Sequence, residues 1–168
     1  MHFDKTVCKI YLTQSPFKEE EAVKICQEID KANLDANFNS ILLIINSGGG
    51  NDSWVMLHDY IKLSQKTVNT LACGWCASAG MQILQAGVKR YASKNTLFLV
   101  HRGNVRFDSN PNNFDESTKK WQEKENIRNK VLFGRSKIKI ENQDKFVSFE
   151  NQFNPNDALK FGFIDEII

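Results

Sequence analysis

A chain of 168 residues, 41% of them apolar and 25% charged, is long enough to bury one proper core and too short for two. Its formal net charge of +2 supplies no single-sign field of the kind that makes nucleic acid a principal partner. The longest apolar run, residues 41–45, falls far short of a membrane span, and the opening MHFDKTVCKIYLTQS lacks the apolar core of a signal peptide. The expectation is cytoplasmic residence, with neither a membrane nor a nucleic acid as partner.

Residues 6–13, TVCKIYLT, are β-branched and alternating, which predicts a first strand. A helix is expected over about 18–32, with Phe17, Ala22, Val23, Ile25, Cys26 and Ile29 as its apolar face and Ser15 as its cap. After a polar loop over 33–39 comes SILLIINSGGG, an unbroken apolar run ending in three glycines. Such a run predicts a parallel strand covered on both faces, with a tight backbone passage at its carboxyl end. Helical spacing returns over 52–63 through Trp54, Val55, Leu57 and Ile61. A strand over 68–73 then leads into a turn at Ser78 and a helix to about Ala86. A short strand near 88–92 and a strong one, TLFLVH, over 96–101 follow. Strands alternating with helices predict an α/β domain that gathers ligands at the carboxyl ends of its strands.

Beyond residue 101 the character changes. Residues 102–113 are polar and turn-rich, and 114–132 form a strongly charged helix whose apolar stripe is chiefly Phe114, Trp121, Ile127 and Val131. So thin a stripe predicts a helix that is exposed or docked on another subunit. The tail NPNDALKFGFIDEII reads as a short capped helix and a last strand. No repeat, low-complexity tract or linker divides the chain, so one domain over 1–168 is expected.

Chemistry is expected at two strand ends. Ser78 sits among Cys76, Ala77, Ala79 and Gly80, where strand gives way to helix. Free N–H groups at a helix start point outward and favour negative charge, so a developing oxyanion would be held there. Serine is also an ordinary N-cap, and its own neighbours do not decide between the two roles. His101 closes TLFLVH, and histidine can take and return a proton near neutrality. A strand-end histidine bonded to backbone is the alternative. Cys73 and Cys76 have the spacing of a redox or metal pair, but Cys8 and Cys26 supply no second close pair. The four cysteines therefore read as reduced, largely apolar filling, with no metal and no cofactor.

Four stretches in order, INSGGG, GWCASAGMQILQAG, KNTLFLVHR and NPNDALKFGFIDEII, resemble the motifs of ClpP, the proteolytic subunit of the Clp protease, and its serine peptidase relatives. In that family a strand ends in N-S-P-G-G, the nucleophile lies in G-x-A-A-S-M-G, the base in H-Q-P, and the chain closes on A-x-E-A-x-x-Y-G-L-I-D. The resemblance runs from about residue 6 to the end. It implies a ClpP/crotonase-like α/β fold of repeated strand-helix units with a protruding handle over about 108–137. It implies Ser78 as nucleophile, His101 as base and, counting back from Ala158, Glu150 in the place of the family's aspartate. The oxyanion donors it implies are the N–H groups of Ala79 and of one glycine, most simply Gly50, with Gly49 the other choice. Asp144 and Asn151 are the alternatives to Glu150.

The same resemblance implies hydrolysis of short or unfolded peptides, lying extended beside residues 102–107, inside a ring or double-ring homo-oligomer. Relatives meet a AAA+ unfoldase through an axial loop ahead of the first strand; here only MHFDK stands there, which counts against that partner. Glutamate for aspartate, Gly48 for proline and Arg102-Gly103 for Gln-Pro are departures from the pattern. Two other readings share the backbone plan: a crotonase-like acyl-CoA enzyme and an assembly subunit that has lost its triad. An α/β-hydrolase elbow would need glycine where Cys76 stands.

Overall fold

The computed structural model describes residues 4–103 and 114–168. In chain order the elements are β1 (Val7–Leu12), α1 (Glu19–Leu34), β2 (Ser40–Ser47), α2 (Trp54–Leu63), β3 (Thr67–Ala77) and α3 (Ala79–Leu84). They continue with β4 (Arg90–Ala92), β5 (Leu97–Val100), α4 (Phe114–Phe133), α5 (Ile140–Val147), β6 (Asn151–Phe153), α6 (Pro155–Phe161) and β7 (Glu166–Ile167). Strands β1-β2-β3-β4-β7 pair in that order, all parallel, while β5 runs parallel to β3 and carries β6 antiparallel on its other side. This is the α/β architecture expected from the alternation of apolar runs and amphipathic segments.

The unbroken run of β2 is buried on both faces, as its composition demands. Ile41, Leu43 and Ile45 point into the main core with Ile10, Leu12, Ile25, Ile29, Leu57, Met81 and Ile83. Leu42 points the other way, into a smaller cluster with Leu71 and Tyr91. Each such side chain contributes about 1.5–3 kcal/mol through burial. Rigid packing on both faces fixes the level at which β2, β3 and β5 end, and those ends carry the site.

Two local expectations are corrected, and two elements arise where none was assigned. The first helix has Lys18, not Ser15, at its N-cap, and no side chain caps it. Ser15 Oγ instead accepts a hydrogen bond from the Gly48 N–H at 3.2 Å, a donor that the proline of related sequences lacks. Strand β3 does not stop at Cys73 but runs on through Gly74 to Ala77. Gly74 takes φ 86°, a conformation L side chains rarely adopt, and there the strand leaves its β4 partner for β5. Finally, α5 and β6 arise in a stretch whose polarity hides them. They are held by a cluster in which Phe133, Phe146, Phe153, Phe161 and Phe163 pack with ring centroids 5.2–6.3 Å apart.

The tail is capped as expected: Asn154 accepts from the Asp157 N–H at 3.0 Å, Pro155 opens α6, and Gly162 closes it at φ 79°. Asp165 then staples the tail to the sheet. Its carboxylate accepts from Arg90 Nη2 at 2.6 Å, Nε at 3.1 Å and the Arg90 N–H at 2.8 Å, with Arg135 Nη2 at 3.3 Å. Burial works to raise the Asp165 pKa, but the hydrogen bonds from Arg90 and the charges of Arg90 and Arg135 outweigh it and hold it below the usual value. A depressed carboxyl contributes stability above its unfolded pKa, about 3.9, and that contribution is lost as pH falls through the lower folded value. Urea midpoints measured between pH 6 and pH 2 are therefore expected to fall less steeply at the acid end in Asp165→Asn. Asp165→Ala leaves a guanidinium only 4% exposed with neutral Gln85 Oε1, at 2.6 Å, in place of a counter-charge and costs about 3 kcal/mol at neutral pH.

Candidate active site

Parallel strands bring their carboxyl ends together, and β2, β3 and β5 end respectively at the glycine triplet, at Ser78 and at His101. Ser78 is held at φ 50° and ψ −120°, the sole non-glycine residue with positive φ among the described residues. Its N–H donates to the Leu99 carbonyl at 2.9 Å, which ties the turn to β5. Ser78 occupies the N-cap position of α3, but its hydroxyl makes no capping hydrogen bond. A serine kept in so sparsely populated a conformation stores about 1–3 kcal/mol, which the packed strands on either side sustain. Ser78 lines a cleft at the start of α3, whose first N–H groups have no carbonyl of their own helix to bond.

The glycines are there for space. At Gly49, with φ 92°, a Cβ would lie 2.7 Å from Ser78 Cβ and 2.9 Å from both the Ala77 oxygen and the Ala79 nitrogen. The Gly49 N–H donates to Ser47 Oγ at 3.2 Å, and that hydroxyl donates in turn to the Gln14 carbonyl at 2.7 Å. Gly50 lies against Phe17, bracketed by the Phe17 N–H to Gly49 O bond (2.8 Å) and the Asn51 N–H to Phe17 O bond (3.2 Å). Among the described residues the Gly50 N–H has no acceptor.

Ser78, His101 and Gly48 to Gly50 line one cleft of about 500 Å³, together with Asp52, Gly103 and Arg128. His101 is half-buried, and its ring makes no hydrogen bond among the described residues. The antiparallel pairs Phe98–Phe153, Leu99–Gln152 and Val100–Asn151 set the register of β5 against β6. The pairing ends there: His101 and Glu150 flank the last pair, and the Arg102 N–H bonds the Val147 carbonyl at 2.9 Å. The Glu150 carboxylate is exposed, and no hydrogen bond joins it to His101. Of the alternatives, Asp144 is ion-paired with Arg102, and Asn151 donates to the Phe146 carbonyl at 3.2 Å.

Sequence reasoning missed the contribution of α4. Of the expected apolar stripe, Ile127 is 50% exposed while Trp121 meets the site, joined there by Glu125 and Arg128. Trp121 Nε1 donates to the Gly103 carbonyl at 3.4 Å, the Gly103 N–H donates to Glu125 Oε1 at 3.1 Å, and Arg128 lines the cleft. The spacing i, i+4, i+7 of these three residues was the available signal, masked because all three carry polar groups. The stretch expected to flank substrate, 102–107, falls from 104 onward outside the described residues, as does the handle up to 113.

Among the described residues no group of His, Cys, Asp and Glu is arranged to hold a metal ion. Cys73 is exposed and Cys76 buried, and burial pushes the Cys76 thiol far up. No described helix is long and apolar enough to cross a membrane.

A mostly parallel sheet with glycines, a strained serine and a histidine at neighbouring strand ends defines a ClpP-like α/β protein. The Clp protease family model matches residues 6–168, and the chain belongs to that family. It is similar to the ATP-dependent Clp protease proteolytic subunit of Paracoccus denitrificans, 28% identical over 129 residues, 76% of this chain and 65% of the relative. It is also similar to proteolytic subunit 2 of Tropheryma whipplei, 26% identical over 87% of this chain and 83% of the relative. The chloroplastic subunit 4 of Arabidopsis thaliana is 29% identical over 76% of this chain but only 45% of its own length.

Proposed function

We propose that this chain is a serine endopeptidase acting on short or unfolded peptides. Ser78 Oγ attacks the peptide carbonyl carbon while His101 takes its proton. The tetrahedral oxyanion is bound by the N–H groups of Ala79 and Gly50, each worth about 3 kcal/mol to the transition state. His101 passes the proton to the leaving amine, then activates the water that hydrolyses the acyl-enzyme. Glu150, next to the Val100–Asn151 pair that precedes His101, turns in to fix the imidazole tautomer and stabilise its cation. The observation that carries the reading is Ser78, strained and uncapped, in one cleft with His101. Hydrolysis of fluorogenic peptides by the wild type, lost in Ser78→Ala, is the expected result; equal rates in both proteins would remove the proposal.

The exposed Glu150 favours one second reading, an assembly subunit without activity. Glu150→Gln separates the two. A working triad loses up to about ten-thousandfold in kcat with little change in KM, whereas an inactive subunit has no rate to lose. The names of the relatives describe subunits of an ATP-dependent protease. On that likeness the proposal includes a ring or double-ring homo-oligomer in the cytoplasm, supplied with substrate by a separate ATPase. Sedimentation that finds only monomer at micromolar concentration would count against the ring.

A further inference from the structure

The cleft carries a cation that the hydrolytic chemistry does not use. Arg128 reaches it from α4 with its side chain only 14% exposed, and its one charged neighbour among the described residues is Glu125, 11% exposed. That neighbour engages one of the five donors. A single oxygen, Glu125 Oε1, lies 3.3 Å from Arg128 Nη1 and is already the acceptor for the Gly103 N–H at 3.1 Å. A guanidinium has five donors in a planar fork. Among the described residues no other acceptor meets those of Arg128. The second charged residue of the cleft wall, Asp52, is paired with Lys124 at 2.6 Å.

Room for the guanidinium depends on Gly103. A Cβ at that position would lie 2.0 Å from Arg128 Nη1 and 2.6 Å from Glu125 Oε1. A side chain at 103 would push the tips of Arg128 and Glu125 from where they now lie. The remaining lining supplies no broad apolar surface: Ser15, Pro16, three glycines and Asn51. Planar recognition by a half-satisfied arginine suits a carboxylate, which accepts two parallel N–H bonds.

We infer that Arg128 makes the cleft a subsite for an acidic side chain of the bound peptide. The inference rests on the peptidase reading for its substrate class, and the experiment is chosen so that the two can fail separately. Peptides blocked by amidation at the carboxyl end, identical but for one central Glu or Gln, are titrated against the Ser78→Ala chain by fluorescence polarisation. Ser78→Ala is expected to bind the Glu peptide about tenfold more tightly, with a preference that shrinks as salt is raised. Adding Arg128→Gln removes the preference while binding of the Gln peptide persists, which also reports an intact fold. Adding Glu125→Gln, which keeps an oxygen for the Gly103 N–H but removes the competing charge, enlarges it. Equal binding of the two peptides, a preference that survives Arg128→Gln, or one seen only with a free terminal carboxylate overturns the inference. None of these results depends on Ser78 being a nucleophile, so a failed peptidase assay beside acid-selective binding would sink the peptidase reading alone.

Discussion

Replacing Ser78 by glycine is expected to abolish peptide hydrolysis and at the same time make the protein more stable. Removal of the nucleophile of a serine triad costs about a millionfold in kcat where it has been dissected, so the residual rate should be indistinguishable from that of Ser78→Ala. Stability moves the other way because Ser78 is held at φ 50° and ψ −120°, where a Cβ is crowded and glycine is not. Relief of that strain is worth about 1–3 kcal/mol, offset in part by the greater freedom of glycine in the unfolded chain, for a net gain of about 1 kcal/mol. Denaturant midpoints of Ser78→Gly and Ser78→Ala, measured side by side, check it. If the two variants are equally stable, the turn is not strained and the geometry argument for a nucleophile weakens.

Gly49→Ala should do the reverse of a neutral glycine replacement and damage stability and activity together. The new methyl meets backbone on two sides, at 2.9 Å from the Ala77 oxygen and the Ala79 nitrogen, and the φ of 92° is costly for any L residue. Neither neighbour is a flexible side-chain tip that can swing away. Strain of this kind costs about 2 kcal/mol or more in unfolding free energy. The Ala79 N–H is also displaced from the position it would need as an oxyanion donor, and loss of one donor lowers kcat by about a hundredfold or more. Thermal unfolding and peptidase rates on the same preparation test both halves. A stable Gly49→Ala variant with normal kcat would show that the β2 end does not press on the nucleophile turn.

Much of this arrangement is legible in the residues. The apolar run of β2 announces burial on both faces, and the positions of Ser78 and His101 at strand ends follow from where periodicity changes. What stays hidden has physical causes. Gly74 looks like the end of a strand, because in most strands a glycine with positive φ is a terminus. Here it bends the strand toward β5, and only tertiary pairing reveals that. The polar stretch before the tail conceals α5 and β6, since their anchors, Phe146, Val147 and Phe153, are too few to set a period. Arg128 and Glu125 were masked for a different reason: their helical spacing from Trp121 was the one signal, and charged residues on a helix usually face solvent. Glu150 lies between these cases. It directly precedes β6, whose Asn151 pairs with Val100, while the exposure of its side chain was not foreseeable.

The central claim is that Ser78 is a nucleophile activated by His101. Labelling with a fluorophosphonate, followed by peptide mapping of the adduct, addresses it most directly. Covalent modification at Ser78, absent in Ser78→Ala and strongly slowed in His101→Ala, is the predicted result. A folded protein that takes no label, or takes it at another residue, would contradict the account.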